Sequence, residues 1–314
     1  MLSTTLDFQK TDFLVNYEPP EGLDGLAHKI SGRLKGSRQK ENELARLADQ
    51  VLLSAEAHRK LSDSALQQDL RKISQEVLRE GLDSLEARAA VLPALVEAAH
   101  RTLKLRPYRE QVMGALALGD RQMVEMATGE GKTLTIAIAG VMAGWSGLPV
   151  HILTANDYLA GRDARSMHAL YDFCRVRVAD VTQKLNPQER RAAYQAQVVY
   201  TTAKELVADF LRDRLKLGQL HVASIRAVRN MLHGAPDLTH EIIQRGLHTV
   251  IVDEADNLMI DEAVTPLIIS RKQQNAGLTK AIKLASALAT RLVEGEHYVR
   301  EDQQQKIELL PGTD

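Results

Sequence analysis

The sequence contains almost no cysteine: one residue, Cys174, in a chain of 314. A single thiol excludes an internal disulfide and a metal site built from several cysteines of this chain. No cluster of histidine or glutamate lies near Cys174 at metal-ligand spacing, so we interpret it as a small buried hydrophobic residue. This cysteine usage is typical of a reducing, cytosolic compartment.

The sequence also lacks an excess of charge of either sign and a long apolar run. Lys and Arg number 40 and Asp and Glu number 41, which gives a net charge of −1. Nucleic-acid-binding proteins usually carry a basic excess, so this balance weakens that class, although a local basic patch would still be compatible with it. The longest apolar stretch, residues 134–145, is shorter than the roughly 20 residues that span a bilayer. The N-terminus has no secretory signal pattern, so we expect a soluble protein or one on a membrane surface.

The first third of the chain divides into two parts. Residues 1–22 form a turn-rich leader that ends in Glu-Pro-Pro-Glu-Gly. Residues 23–105 are poor in glycine and proline, and a serine-rich start at Ser62 precedes an apolar pattern with helical spacing. That pattern consists of Leu66, Leu70, Ile73 and Val77. We predict a helical N-terminal segment over residues 23–105, with a packing or scaffolding role.

From residue 106 to residue 270 the pattern alternates between strands and helices. Short apolar segments at residues 123–126, 150–154, 198–201 and 249–252 are strand candidates. The helical stretches between them predict an α/β domain with a parallel sheet covered by helices. Ligands of such domains bind at the carboxyl ends of the strands, and the polar motifs of this sequence lie there.

Residues 271–314 have a different character. A helix is predicted over about residues 278–293, and the segment from His297 to Leu310 indicates two strands around a polar turn. An isolated hairpin is marginal in water. We therefore expect the beginning of a small domain that is incomplete within these 314 residues.

The string Ala-Thr-Gly-Glu-Gly-Lys-Thr at residues 127–133 is typical of a phosphate-binding loop. Gly129 and Gly131 permit a backbone that turns successive N–H groups, including that of Glu130, toward one point. The N-terminus of the following helix adds partial positive charge. Lys132 can reach the β- and γ-phosphates, and the hydroxyl of Thr133 can bind Mg²⁺. The sequence therefore predicts a site for a nucleoside triphosphate with magnesium.

A second motif complements this loop. Residues 250–252 form an apolar strand candidate that ends in Asp253 and Glu254. In nucleotide hydrolases an aspartate here holds Mg²⁺, partly through water, and the glutamate orients or deprotonates the attacking water. We therefore assign Asp253, Glu254 and Lys132 as candidate catalytic residues, with Thr133 and Asp253 as the candidate metal ligands.

Two further segments contain candidate ligand contacts. The amide of Gln111 can pair with the donor and the acceptor of an adenine edge, and Tyr108 can stack on a base. If these assignments hold, they favour ATP over GTP. The segment after the second strand candidate contains Asn156 and Arg162. In the functional interpretation this is the coupling segment of a motor, with Arg162 near the nucleotide. The alternative, in which Asn156 is a helix cap, fits the sequence equally well.

Taken in order, these strings resemble the SecA preprotein translocase ATPase family. The matching strings are Leu-Ser-Asp from residue 61, the phosphate loop, Asn-Asp-Tyr-Leu-Ala-Gly-Arg-Asp-Ala from residue 156, and Phe-Leu-Arg-Asp from residue 210. The most specific is the run from Val252 to Ser270, in which Ile-Asp-Glu-Ala is followed by Thr-Pro-Leu-Ile-Ile-Ser. The resemblance extends from about residue 29 to the C-terminus.

This resemblance implies a RecA-like P-loop NTPase domain at residues 106–270 and, at residues 271–314, the start of a preprotein-crosslinking domain of small α+β type. It implies a cytoplasmic ATPase, peripheral on the inner face of the cell membrane, that pushes unfolded preproteins through a membrane channel. An anionic membrane surface and a second copy of the chain are further implied partners; nucleic acid is not expected. Family members hydrolyse ATP between two motor domains, and the second domain is not in this chain. We therefore expect nucleotide binding with slow hydrolysis.

The sequence departs from the family pattern at Tyr200-Thr-Thr-Ala, where the family has Tyr-Gly-Thr-Asn, and in a longer connection between Arg214 and Leu247. Two alternatives stay open. Asp-Glu-Ala-Asp at residues 253–256 is also a helicase signature, which would make the chain an ATPase acting on RNA or DNA. The other alternative is a non-catalytic nucleotide-binding module that regulates a partner.

Overall fold

The structure is a computed structural model that describes residues 37–217, 242–262, 276–301 and 306–310. These residues form two compact units, one before residue 263 and the other after residue 275. The leader predicted at residues 1–22 lies outside the described residues. So do residues 265–270 and most of the long connection after Arg214.

From residue 37 onward, where its description begins, the helical segment folds as three helices, which are α1 (Ser37–His58), α2 (Asp63–Glu80) and α3 (Leu85–Leu103). Two serines begin the second and third of them. Ser62 Oγ accepts a hydrogen bond from the N–H of Ala65 at 3.2 Å, and Ser84 Oγ accepts one from Ala87 at 3.0 Å. Each cap satisfies a donor of the first helical turn, which otherwise has no partner. The helix start predicted at Ser62 is confirmed.

Arg101 on α3 fastens the turn that joins α1 to α2. Its guanidinium donates to the carboxylates of Glu97 and Asp63, both at 2.7 Å. It also donates to the backbone carbonyls of His58 at 3.1 Å and Leu61 at 2.8 Å. Glu97 is 4% exposed, and a buried carboxylate is stable only when it is paired. Arg101 therefore supplies both the counter-charge and the hydrogen bonds of this turn.

Two further helices, α4 (Arg109–Gly119) and α5 (Lys132–Gly144), connect the helical segment to the sheet. α4 packs against α1, α3 and α5, and α5 packs in turn on the strands. Every residue of α5 from Leu134 to Met142 is buried, as expected for a helix that is apolar on all sides. The helical segment therefore shares one hydrophobic core with the sheet. No helix among the described residues has the length and apolarity needed to cross a membrane.

The sheet consists of four parallel strands in the order β2-β3-β1-β4. The strands are β1 (Val150–Leu153), β2 (Val178–Asp180), β3 (Val198–Thr201) and β4 (Thr249–Val252). The connections contain α6 (Asp157–Phe173), α7 (Pro187–Ala193) and α8 (Ala203–Leu217). The predicted parallel sheet is confirmed. Leu153 aligns with Thr201 and with Val252, so the three strands end together and the residues after them meet at one edge.

The prediction of a strand at residues 123–126 was wrong. Residues 122–127 have no regular secondary structure, and no backbone hydrogen bond among the described residues pairs them with β4. Side chains in this segment alternate between exposed and half-buried, and Met123 is 83% exposed. The half-buried Val124 and Met126 lie beside Gly114 of α4. The alternation that suggested a strand is present, but a strand also needs a ladder of hydrogen bonds.

Burial shifts the pKa values of titratable side chains in this first unit, among them Asp213 and His151. Asp213 on α8 accepts hydrogen bonds from the backbone N–H groups of Ile243 and Gln244, both at 2.8 Å. These bonds tie α8 to the segment that leads into β4. Burial raises the pKa of Asp213 to about 6, although the two backbone N–H groups oppose the shift. Burial, aided by the charge of Arg245, lowers the pKa of His151 on β1 to about 4.

The described residues of the second unit form one helix and one pair of antiparallel strands, called the hairpin below. The helix is α9 (Ala276–Ala289), and the hairpin strands are β5 (Tyr298–Glu301) and β6 (Lys306–Leu309). The strands pair antiparallel, with Tyr298 opposite Leu309. The helix predicted over 278–293 and the pair of strands are confirmed, and the helix begins and ends earlier than predicted.

Candidate nucleotide-binding site

The predicted phosphate loop lies at the N-terminus of α5. Gly129 has φ 91° and Gly131 has φ 80°, a left-handed conformation that costs glycine little and other residues much more. No side chain caps α5. Among the described residues, the backbone N–H groups of Gly131, Lys132 and Thr133 have no hydrogen-bond partner. Such N–H groups, together with the helix dipole, form an anion-binding site.

Gln111 connects this loop to α4. Its Oε1 accepts a hydrogen bond from the N–H of Tyr108 at 3.0 Å, and its Nε2 donates to the carbonyl of Glu130 at 2.8 Å. The side chain is 7% exposed, and a Cβ on Gly131 would lie 2.2 Å from Nε2. Each end of the amide keeps one further hydrogen-bonding position. Gln111 is thus both a cap of α4 and a brace for the loop, and it retains one donor and one acceptor for a ligand.

Lys132 begins α5, and Asp253 directly follows β4 at the carboxyl edge of the sheet. The N–H of Asp253 donates to the carbonyl of Leu153 at 2.8 Å, which extends the pairing with β1 by one residue. Among the described residues no hydrogen bond or ion pair engages the ammonium group of Lys132. The positive charge of Lys132 nevertheless acts on Asp253 and by itself would lower the pKa of that carboxyl group. A lysine so placed is available for an anion that enters between the loop and β4.

Burial raises the pKa of Asp253 above its ordinary value, and the charges of Glu254 and Asp163 raise it further. The N–H of Glu254 and the ammonium of Lys132 oppose this shift. A concentration of negative charge that raises a carboxyl pKa also favours a bound cation. Within the described parts of the chain, no group of three or more His, Cys, Asp or Glu side chains forms a metal site. The predicted ligands, one hydroxyl and one carboxylate, suit Mg²⁺, which is usually completed by water and phosphate oxygens.

Glu254 is exposed and has φ 55°, an uncommon conformation for a residue with a side chain. Its N–H donates to Asp253 Oδ1 at 3.1 Å. Backbone strain of this kind costs about 1–3 kcal/mol and is concentrated at functional sites. The two consecutive acidic side chains on this strained turn differ in their environment. Asp253 is half-buried, whereas Glu254 reaches solvent.

The sequence interpretation missed Asp163. This carboxylate is 4% exposed on α6, accepts a hydrogen bond from Arg162 Nε at 2.8 Å, and raises the pKa of Asp253. Its signal was present, because Asp163 lies on the buried face of α6 beside Ala160, Ala164 and Met167. A carboxylate at a core-facing helical position is uncommon unless it is paired. Arg162, predicted near the nucleotide, is half exposed and pairs with Asp163 instead of lining the adjacent cavity.

A cavity of about 1060 Å³ adjoins the phosphate loop. Five of the predicted ligand contacts line it, which are Tyr108, Gln111, Gly129, Glu130 and Gly131. Lys132 and Thr133, in the first turn of α5, do not line it, and neither do Asp253 and Glu254, which follow β4. The predicted site therefore has two adjoining parts, a cavity beside the loop and a charged edge that joins α5 to β4. The cavity volume of about 1060 Å³ is at the upper end of the range for small-molecule pockets.

The SecA DEAD-like domain matches this sequence over residues 30–309. The chain belongs to that family. Residues 30–309 are therefore a SecA DEAD-like domain, and the helicase alternative is not favoured.

Three relatives illustrate the similarity. Protein translocase subunit SecA 2 of Magnetococcus marinus is 42% identical over 304 residues, which cover 96% of this chain and 47% of that protein. SecA 2 of Chlorobium chlorochromatii is 42% identical over 293 residues, covering 92% and 44%. SecA of Wolbachia pipientis is 36% identical over 242 residues, covering 77% and 25%. This chain thus spans about half the length of the first two relatives.

Proposed function

We propose that this chain is the ATP-binding motor domain of a SecA-like protein translocase, which couples ATP hydrolysis to the export of unfolded preproteins through a membrane channel. One observation carries the proposal. A loop with left-handed Gly129 and Gly131 lies at a helix N-terminus that no side chain caps, and the charge of Lys132 in that first turn acts on Asp253 at the end of β4. Unpaired backbone N–H groups and an available ammonium together suit a triphosphate.

Each residue of the site has a role in this proposal. The N–H groups of Gly131, Lys132 and Thr133 and the ammonium of Lys132 hold the phosphates, whereas the N–H of Glu130 donates to the carbonyl of Ala127 at 3.2 Å. Thr133 and Asp253 hold Mg²⁺, which supplies positive charge to the phosphate oxygens when bound. Glu254, exposed beside Asp253, accepts a proton from or orients the attacking water. Arg162 pairs with Asp163. It acts on the charge of Asp253 and not on the base of the nucleotide.

Hydrolysis by this chain alone is expected to be slow. In the proposed translocase, arginines of a second motor domain stabilise the transferred charge, and a group of this kind contributes roughly 10³–10⁵ in rate. The remaining partners that we propose are an unfolded preprotein, the membrane channel, an anionic membrane surface and a second copy of the chain. The working location would be cytoplasmic, at the inner face of the cell membrane.

The site is tested by the variant Lys132→Ala. We expect it to lose most of its affinity for ATP with magnesium, because it removes the side-chain cation of the loop. Lys184→Ala is the matched control, since Lys184 is exposed and distant in sequence from the loop. Titration calorimetry measures both. Equal ATP affinity in the two variants would refute the assignment.

The coupling is tested by phosphate release. We expect turnover to rise when the second motor domain of a SecA relative is added in trans, and to rise further with a signal-bearing preprotein. Stimulation by RNA instead of preprotein would support a helicase. No increase under any condition would support a non-catalytic regulatory module.

A further inference from the structure

The cavity beside the phosphate loop has a wall that the proposed function does not explain. Four residues of α1 line it, which are Asp49, Leu52, Leu53 and Glu56. The helical segment containing α1 was expected to have only a packing role. Its residues instead share the cavity with Tyr108, Gln111 and the loop backbone.

Two of these lining residues are large apolar side chains that remain open to solvent. Leu53 is 74% exposed and Tyr108 is 71% exposed. Leu53 sits on a helix whose opposite face is buried, through Leu47, Ala48 and Val51. A flat apolar ligand that contacts an aliphatic and an aromatic side chain removes apolar area from water on both of its faces. A purine base is such a ligand.

Two ion pairs hold α1 against the segment that begins α4. Arg109 donates to both carboxylate oxygens of Asp49, at 2.7 Å and 3.2 Å. Arg106 pairs with Glu56, which lies about two helical turns after Asp49 on α1. A bidentate arginine–carboxylate pair fixes orientation as well as distance. The pairs also neutralise both carboxylates, which removes negative charge from the side of the cavity that adjoins a triphosphate.

We propose that α1 forms a wall of the base subsite, with Leu53 in contact with the purine and Asp49 as a positioning residue that acts through Arg109. The proposal rests on the proposed function, because it requires that the phosphates of the same nucleotide occupy the neighbouring loop. It assigns nucleotide affinity to a helix that begins more than 70 residues before the phosphate loop. Gln111 would read the base edge while Leu53 contacts the base face.

The test separates the base from the phosphates by using two probes, ATP and inorganic tripolyphosphate, each with magnesium. We expect Leu53→Glu to weaken ATP binding by about tenfold, the scale of one lost apolar side-chain contact, and to leave tripolyphosphate binding unchanged. Leu78→Glu is the matched control, because Leu78 is a 60% exposed leucine on α2 that does not line the cavity. Leu53→Ser should repeat the pattern without adding charge.

The positioning role of Asp49 has its own readout. Asp49→Arg places like charges together and should weaken ATP binding, and the exchanged pair Asp49→Arg with Arg109→Asp should restore it. Failure of the exchange to restore binding would show that Arg109 itself contacts the ligand and would overturn this part.

Three other outcomes separate failure of the proposed function from failure of this inference. Wild-type protein that binds neither probe would overturn the proposed function and this inference with it. Wild-type protein that binds both, with an unchanged ATP affinity in Leu53→Glu, would overturn this inference alone. Loss of both probes in Leu53→Ser would also overturn it, because α1 would then act on the phosphate loop and not on the base.

Discussion

Replacement of Gly131 by alanine should destabilise the protein by two separate effects. The left-handed φ of 80° costs a residue with a Cβ about 1 kcal/mol. The new Cβ would lie 2.2 Å from Gln111 Nε2, so the amide must move and give up its bonds to Glu130 and Tyr108. Each such bond contributes about 1 kcal/mol. We therefore expect a loss of about 3 kcal/mol in the free energy of unfolding.

Gly129→Ala is the matched control. Gly129 has a similar φ of 91°, but a Cβ there would meet no atom within 4 Å. We expect it to cost about 1 kcal/mol, which is the conformational part alone. Urea denaturation followed by the fluorescence of Trp145 measures both, because this single tryptophan is buried at the end of α5.

The difference of about 2 kcal/mol between the variants should disappear in a Gln111→Ala background, where the clash no longer exists. Equal destabilisation by Gly129→Ala and Gly131→Ala in the wild-type background would refute the bracing role of Gln111.

Two further predictions concern stability. Arg101→Ala should lower the free energy of unfolding by roughly 3–5 kcal/mol, because it leaves Glu97 buried without a counter-charge; Arg59→Ala, which removes an exposed pair with Glu56, should change it by less than about 1 kcal/mol in the same denaturation assay. The pKa shifts of Asp213 and His151 should oppose each other between pH 4 and pH 6. The folded protein holds a proton on Asp213 up to about pH 6, compared with about 3.9 when unfolded, so its contribution to stability is lost as pH rises. His151 is protonated only below about pH 4 when folded, compared with about 6.5 when unfolded, so its contribution is gained as pH rises. His151→Gln should therefore expose a fall in stability between pH 4 and pH 6 of up to about 3 kcal/mol, measured by denaturation at several pH values, and a flat profile in that variant would contradict the assignment.

Much of the fold could be predicted because its signals are local. Helical periodicity identified α2, and short apolar segments identified β1, β3 and β4. The strand predicted at residues 123–126 failed for a physical reason. Alternation of side chains depends only on neighbouring residues, whereas a strand also requires a hydrogen-bonded partner that the sequence does not specify.

The candidate site shows the same division. The phosphate loop could be read from the sequence because glycine conformation, the helix N-terminus and the lysine all lie within seven consecutive residues. The pairing of Gln111 with Glu130 spans 19 positions, and that of Arg109 with Asp49 spans 60. Contacts of this kind depend on how helices pack, and no local pattern encodes them.

The sequence by itself determined the glycine-rich loop and the residue types that we propose hold a triphosphate, since the chemistry of a loop is set by its own residues. Only the tertiary structure decided what surrounds that loop. Packing brought α1 to the cavity, and burial together with the charge of Asp163 raised the pKa of Asp253. Both effects depend on the exclusion of water by elements distant in the chain, which exists only after they have packed together.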